Sequence, residues 1–189
     1  IIIFLNGNRG VPVVQAVKRA GYQISTIVIP SNNNNDHLQN EAKKLGLNYF
    51  IANNVNSLVS INHLKSLSPS LFIIAGYSTI FKKDLIDIPK MGVINLHAGR
   101  LPEYRGGSPL NWQIINGENE AVVSVIKINE GIDTGPVLSE QSIMINSSIT
   151  ISELHEEANK IFPKLVLNAI KLIDKGENIG RHQNEEKAK

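Results

Sequence analysis

The sequence contains no cysteine, which excludes disulfides, thiol nucleophiles and thiolate metal sites. It has little net charge. Lys and Arg number 19 against 17 Asp and Glu, a balance of +2, too small to argue for a nucleic-acid partner. It lacks any apolar run near the ~20 residues of a membrane helix and shows no signal peptide. No membrane association is expected, and the cytoplasm is the default location. His37, His63, His155 and His182 have no metal-ligand spacing, so no metal is expected. There are no internal repeats. The first residue is Ile1 rather than methionine, and residues beyond either end are allowed for.

What is present is the material of a globular chain. Hydrophobic residues make up 42% of 189 positions, enough for one domain with a substantial core. Ile1–Leu5 is a continuous apolar run opened by three β-branched residues, the mark of a strand buried on both faces. A turn at residues 6–10 follows. Then comes a helix opened by Pro12, with Val13, Val14, Ala16, Val17 and Ala20 on its apolar side. Ile24–Ile29 reads as the next strand. The asparagines from Asn32 to Asn35 read as a polar surface loop. Asp36 is suited to cap a helix with Leu38, Ala42 and Leu45 inward. A short strand spans residues 48–51. Ser57 caps a helix with Leu58, Ile61, Leu64 and Leu67 inward, and residues 71–75 form a second fully buried strand.

The order β-α-β-α-β-α-β predicts a parallel, doubly wound sheet. Beyond it, Lys82–Ile88 reads as a short amphipathic segment. Ser108-Pro109 reads as a helix cap followed by proline at the first helical position. Strands are expected over 121–128 and 137–145. Thr150-Ile151-Ser152-Glu153 is a capping box, and the helix after it should kink or split at Pro163. One domain is expected over residues 1–175, with a polar, frayed tail over 176–189.

Between these elements lies the most informative stretch, Gly92 to Gly107. Asn95 and His97 stand two apart on a strand end, so their side chains share a face. An imidazole titrates near neutral pH, and a carboxamide donates or accepts. Such a pair can handle a carbonyl oxygen that gains negative charge. Both groups fall at carboxyl ends of strands, as does Gly76-Tyr77, and open α/β sheets bind ligands there. Taken alone, Asn-x-His is a weak signal, and Asp133 between glycines reads as an ordinary turn acid. The turn at Gly7, Asn8 and Arg9 sits where phosphates bind helix N-termini. It lacks the Gly-x-Gly-x-x-Gly spacing of a dinucleotide site. Tyr77 either lines a pocket or closes the core. Arg105 reads either as an anion-binding fork or as a loop brace on backbone carbonyls. Trp112 reads as core or as a subunit contact.

Asn95-Leu96-His97, then Leu101-Pro102-Glu103-Tyr104-Arg105-Gly106, then Ser108-Pro109-Leu110-Asn111-Trp112 resembles the signature of folate-dependent formyltransferases. Glu130-Gly131-Ile132-Asp133-Thr134-Gly135-Pro136 is similar to that family's second motif. The resemblance covers about residues 70 to 140 well and the rest loosely. It implies an α/β, Rossmann-like formyltransferase fold, with a mostly parallel central sheet and helices on both faces. It implies Asn95, His97 and Asp133 as the catalytic trio and N10-formyltetrahydrofolate as formyl donor. Tyr77, Ser78, Ile80, Gly131 and Ile132 are then expected to bind that donor, and Gly7, Asn8, Arg9, Arg105 and Gly106 the acceptor. In this reading protonated His97 donates to the oxyanion and Asn95 holds the formyl oxygen. Asp133 keeps His97 charged or takes the amine proton through a water.

The branch is read from the loop. Ala98-Gly99-Arg100 follows His97 where glycinamide ribonucleotide enzymes usually have Pro-Ser, and those enzymes lack the Ser-Pro-Leu-Asn-Trp element. That element resembles the branch of methionyl-tRNA formyltransferases and sugar N-formyltransferases. The expected acceptor is therefore a nucleotide-linked amino sugar used in surface polysaccharide synthesis. Phosphoribosylglycinamide formyltransferase and a truncated methionyl-tRNA formyltransferase are the alternatives within the family. A formyltetrahydrofolate hydrolase and a silent scaffold of the same fold are those outside it. Members of the family often dimerise, and a homodimer is an open expectation.

Overall fold

The computed structural model describes residues 1–31, 35–176 and 180–188. Asn32 to Asn34 of the expected asparagine loop, and residues 177–179 and 189 of the expected tail, lie outside the described residues. The elements run β1 (Ile2–Leu5), α1 (Gly10–Arg19), β2 (Thr26–Pro30), α2 (Asp36–Lys44), β3 (Tyr49–Ala52), α3 (Leu58–Ser66) and β4 (Phe72–Ala75). They continue α4 (Lys83–Ile86), β5 (Val93–His97), α5 (Pro109–Ile115), β6 (Glu120–Lys127), β7 (Val137–Met144) and α6 (Ile151–Asp174). One sheet holds the strands in the order β3-β2-β1-β4-β5-β6-β7, the α/β architecture expected from the sequence. By contacts the chain divides into two compact units, Ile1–Ile94 and Asn95–Lys189. Among the described residues no helix is long and apolar enough to cross a membrane.

In the first unit, β1 pairs in parallel with β2 and with β4, and β2 with β3. The chain therefore steps outward from β1 to β3 and then returns to the other side of β1. Right-handed crossovers put α1 and α2 on one face and α3 on the other. Strands covered on both faces bury every side chain, as β1 and β4 do. Phe4 centres an aromatic cluster, edge-on to Phe72 at 5.0 Å, Tyr77 at 5.7 Å and Phe81 at 4.7 Å. Helix α1 starts two residues before the expected Pro12. Gly10 permits this, since a Cβ there would collide with the Leu5 side chain and press on Ala75 at 3.1 Å.

Two local expectations need correction. Asn35, not Asp36, is the cap position of α2. Its carbonyl accepts from Leu38 and Gln39, while its side chain donates to the Pro30 carbonyl. Leu58 opens α3 ahead of the buried face formed by Ile61 and Leu64, and it is 75% exposed. Ser57 does cap that helix, accepting from the Ser60 N–H.

In the second unit, β6 pairs antiparallel with β7, and α6 packs across both. Helix α6 is neither ended nor split by Pro163. It runs unbroken for 24 residues, because Phe162, Leu165 and Val166 on either side are buried and hold the turn in place. The expected frayed tail is also corrected. Described residues 180–188 lie along the unit, where Arg181 exchanges two backbone hydrogen bonds with Val137. Ser108 precedes Pro109 as expected, but it stands at a left-handed φ of 54° and its side chain makes no cap hydrogen bond. Its carbonyl accepts from Asn111 and Trp112 instead.

The capping box at the start of α6 is complete. Thr150 accepts from the Glu153 N–H at 3.2 Å, and Glu153 accepts from the Thr150 N–H at 2.8 Å. Replacing Thr150 by alanine is expected to lower stability by about 1 kcal/mol. Urea titration should show a lower midpoint with an unchanged slope.

Candidate active site

Strand β5 ends on Asn95 and His97 because a period of two puts both on one face. His97 is buried, at 4% exposure. Its Nδ1 lies 3.3 Å from Oδ2 of Asp133, whose side chain is 13% exposed. Asn95 Nδ2 donates to the other oxygen of the same carboxylate at 3.4 Å. The N–H of Gly106 donates to Oδ2 at 3.0 Å. The structure thus brings Asn95, His97 and Asp133 together around one carboxylate. Asp133 itself stands at φ 51°, a left-handed conformation uncommon outside glycine.

The second ring nitrogen of His97 faces a backbone acceptor. Nε2 is 2.6 Å from the Tyr104 carbonyl, so Nε2 carries the proton and donates. With a carboxylate on one side and a carbonyl on the other, both ring nitrogens meet acceptors. The doubly protonated imidazolium satisfies both contacts.

The loop that supplies the Tyr104 carbonyl is braced from several sides. The Tyr104 hydroxyl donates to Glu118 at 2.6 Å. Burial and Glu118 together raise the phenol's pKa. Arg100 pairs with Glu118 and Glu120. Ser124 donates to the Gly99 carbonyl. Gln113 is fully buried. It donates to the carbonyls of Ala98 and Pro109 and accepts from the N–H groups of Val122 and Arg100. Gly99 leaves space for this packing, since a Cβ there would stand 2.7 Å from His97 Nε2 and from the Tyr104 carbonyl.

The remaining expected site residues fall in several places. Gly106 directs its N–H at Asp133, not outward to an acceptor. Arg105 is also engaged within the chain. Its two terminal nitrogens donate to Glu185 at 2.8 and 2.7 Å, and its Nε donates to Gln183 at 3.0 Å. It braces side chains of the C-terminal segment, where the loop-brace reading had backbone carbonyls. Gly131 and Ile132 are exposed on the loop before Asp133. Trp112 is 53% exposed, so the reading of it as core is corrected. It sits on the outer side of a two-turn helix whose inward residues are Leu110 and Gln113.

In the first unit, Gly7, Asn8 and Arg9 follow β1, while Tyr77, Ser78 and Ile80 follow β4. These loops meet where the strand order reverses: a Cβ on Gly76 would lie 2.9 Å from the Asn6 carbonyl and 3.8 Å from Arg9. Burial works against the charge of Arg9. Tyr77 closes the core with Phe4 and Phe81, and burial pushes its phenol up to about 12. Ser78 and Ile80 are exposed. Among the described residues no cluster of three or more His, Asp or Glu could hold a metal ion.

Sequence reasoning missed Gln113, Gln183 and the Tyr104 carbonyl. A glutamine shows no periodic signal, and a carbonyl has no sequence signal at all. Gln113 alone could have been suspected, from its place on the inward face of α5.

A family model described as formyl transferase matches residues 1–170. The chain is 31% identical over 188 residues to the methionyl-tRNA formyltransferase of Clostridioides difficile (strain 630), covering 93% of this chain and 60% of that protein. It is 41% identical over 116 residues to that of Thermodesulfovibrio yellowstonii, covering 61% of this chain and 38% of that protein. The chain thus spans 60% or less of the length of these curated relatives. Among solved structures, phosphoribosylglycinamide formyltransferase from Bacillus halodurans is similar, with TM-score 0.80, 19% identity and 94% and 96% of the two chains covered. A sugar N-formyltransferase from Shewanella has TM-score 0.76, 21% identity and coverage of 100% and 74%. At such identities these two show a shared fold.

Two outcomes follow from the bracing. Gln113→Leu is expected to lower unfolding free energy by about 2–4 kcal/mol, since each buried partner left unpaired costs about 1–3 kcal/mol. Chemical denaturation measures it. Arg105 holds the Glu185 carboxyl below the usual carboxylate range through its hydrogen bonds. A pKa lowered on folding contributes stability above the unfolded value, and this is lost as pH falls through the folded one. Amide protection across residues 181–187 is therefore expected to drop below about pH 4, as hydrogen exchange would show.

Proposed function

The chain belongs to the formyl transferase family, and on that premise we propose that it moves a formyl group from N10-formyltetrahydrofolate to the amine of a nucleotide-linked amino sugar in the cytoplasm. The observation that carries the reaction class is the Asp133 carboxylate, with Asn95, His97 and the Gly106 N–H gathered on it. The amine nitrogen attacks the formyl carbon, a new C–N bond forms, and the carbonyl oxygen takes negative charge. That oxygen needs donors placed in advance. Asn95 Nδ2 and His97 Nδ1 are such donors. Asn95 Nδ2 has a second N–H beyond the one it gives Asp133 at 3.4 Å, and the single Nδ1–H of His97, 3.3 Å from Asp133, is shared between that carboxylate and the oxyanion.

Asp133 keeps the imidazole charged through this step. It is also the nearby base that can take the amine proton through a water. Collapse of the intermediate breaks the bond to the folate nitrogen, which leaves with a proton. The donor supplies the activated formyl group. Ser78, Ile80, Gly131 and Ile132 are the residues proposed to hold it, with Tyr77 contributing through its backbone while its ring closes the core. Gly7, Asn8 and Arg9 are proposed to meet the acceptor's phosphates.

The amino-sugar acceptor rests on the Ser108–Trp112 element and on a net charge of only +2. A second reading, transfer to an aminoacylated initiator tRNA, is favoured by the names of the curated relatives at 31–41% identity.

Purified protein with N10-formyltetrahydrofolate should be offered nucleotide-linked amino sugars, glycinamide ribonucleotide, charged initiator tRNA, or no amine. Formylation of an amino sugar alone is expected. Formylation of the tRNA or of the ribonucleotide would replace the acceptor, and formate release without an amine would replace transfer by hydrolysis. His97→Asn and Asp133→Asn should each lower kcat by about 100-fold or more. Near-wild-type turnover by either variant would overturn the role of the residue replaced.

A further inference from the structure

Asp133 is held at its carboxylate by Gly106, but its backbone is held from elsewhere. Residues 180–188 meet β7 at its first residue. Arg181 and Val137 exchange backbone hydrogen bonds at 2.9 and 2.8 Å. Gly180, at φ 95°, makes this approach, since a Cβ there would lie 2.6 Å from the Val137 carbonyl. Two residues beyond Arg181, the Gln183 side chain reaches the Asp133 loop. Its Nε2 donates to the carbonyls of Asp133 and Gly135, each at 2.7 Å. Its Oε1 accepts from Arg105 Nε at 3.0 Å, and the Arg105 fork is fixed in turn by Glu185. Arg105 is the chain neighbour of Gly106, whose N–H holds the Asp133 carboxylate.

We propose that Gln183 is a positioning residue that sets where the Asp133 carboxylate meets His97. The orientation of the Asp133 carbonyl fixes the peptide plane that follows it. For a residue at φ 51° that plane is not held by regular secondary structure. Gln183 fixes it, and fixes the Gly135 carbonyl beside it, while tying both to the loop that carries Gly106. A primary amide suits the position by chemistry. It brings two N–H donors for two carbonyls and one acceptor for a guanidinium. A glutamate of the same shape would set a carboxylate oxygen against two carbonyl oxygens. The 3.3 Å contact between Asp133 and His97 is long enough that a small displacement of the loop would break it. The proposal rests on the part that Asp133 and His97 play in the proposed formyl transfer.

The test compares Gln183→Ala and Gln183→Glu with Arg181→Ala. The last removes the Glu140 ion pair but leaves the backbone bridge. The first readout is the NMR signal of the His97 ring nitrogens in protein without substrate. The others are kcat and KM for formyl transfer, and thermal unfolding. Both Gln183 variants should shift the ring signals and lower kcat by about tenfold or more, with KM changed less than about twofold. Arg181→Ala should leave the ring signals and kcat as in wild type. Wild-type ring signals and kcat in Gln183→Ala would overturn the proposal. So would equal effects of Arg181→Ala and Gln183→Ala, which would mean a segment that acts by folding alone. The ring signals need no acceptor. A wild-type protein that transfers no formyl group would thus defeat the proposed function, while the Gln183 variants would still report on position.

Discussion

A carboxylate largely withdrawn from water must be surrounded by donors, or it becomes protonated or moves. Asp133 meets this condition with an amide, an imidazole and a backbone N–H. These come from the end of β5 and from the loop after it, so one acidic group fixes the mutual placement of both. The reverse dependence is as strong. A facing carboxylate favours the charged form of a buried imidazole, whereas burial alone favours the neutral one. The same contact therefore sets where the ring and the carboxylate stand.

How much of this is legible in the sequence depends on the range of the interaction. The buried strands can be read because continuous apolar runs such as Ile2–Phe4 carry their own signal. The shared face of Asn95 and His97 can be read because strand periodicity is local. Asp133 cannot be read that way: a turn acid between glycines looks the same whether or not an imidazole faces it. It enters through the resemblance of its motif to a known family. The docking of Gln183 on the Asp133 and Gly135 carbonyls has no local signal at all, because it joins residues about fifty positions apart.

The misreadings have the same origin. Pro163 breaks an isolated helix, but buried neighbours such as Phe162 and Val166 outweigh the single hydrogen bond it removes. Ser108 is a good cap residue by type, yet it enters α5 at a positive φ and makes no side-chain cap. For Tyr77 the sequence leaves pocket and core equally open. Aromatics are scarce, at 5% of the chain, and only the rings gathered around Tyr77 decide its role. In each case a nonlocal contact settles what local propensity leaves open or gets wrong.

The two contacts of His97 are unequal, and this assigns the ring's edges. The Nε2 contact to the Tyr104 carbonyl is short, at 2.6 Å, and lies in a loop braced by Glu118, Gln113 and Ser124. The Nδ1 contact to Asp133 is long, at 3.3 Å. The ring is therefore anchored through Nε2, and its Nδ1 edge faces Asp133. The conspicuous side chains of the Leu101–Gly106 loop then matter chiefly for where they hold its backbone. What faces His97 is a carbonyl, and what faces Asp133 is an N–H, groups that any residue but proline can supply. On this view the charged side chain of Arg100 fits without disturbing the site, because it is turned to Glu118 and Glu120. The loop works as a template of backbone polarity around the acid, the imidazole and the amide, the groups proposed to carry the chemistry.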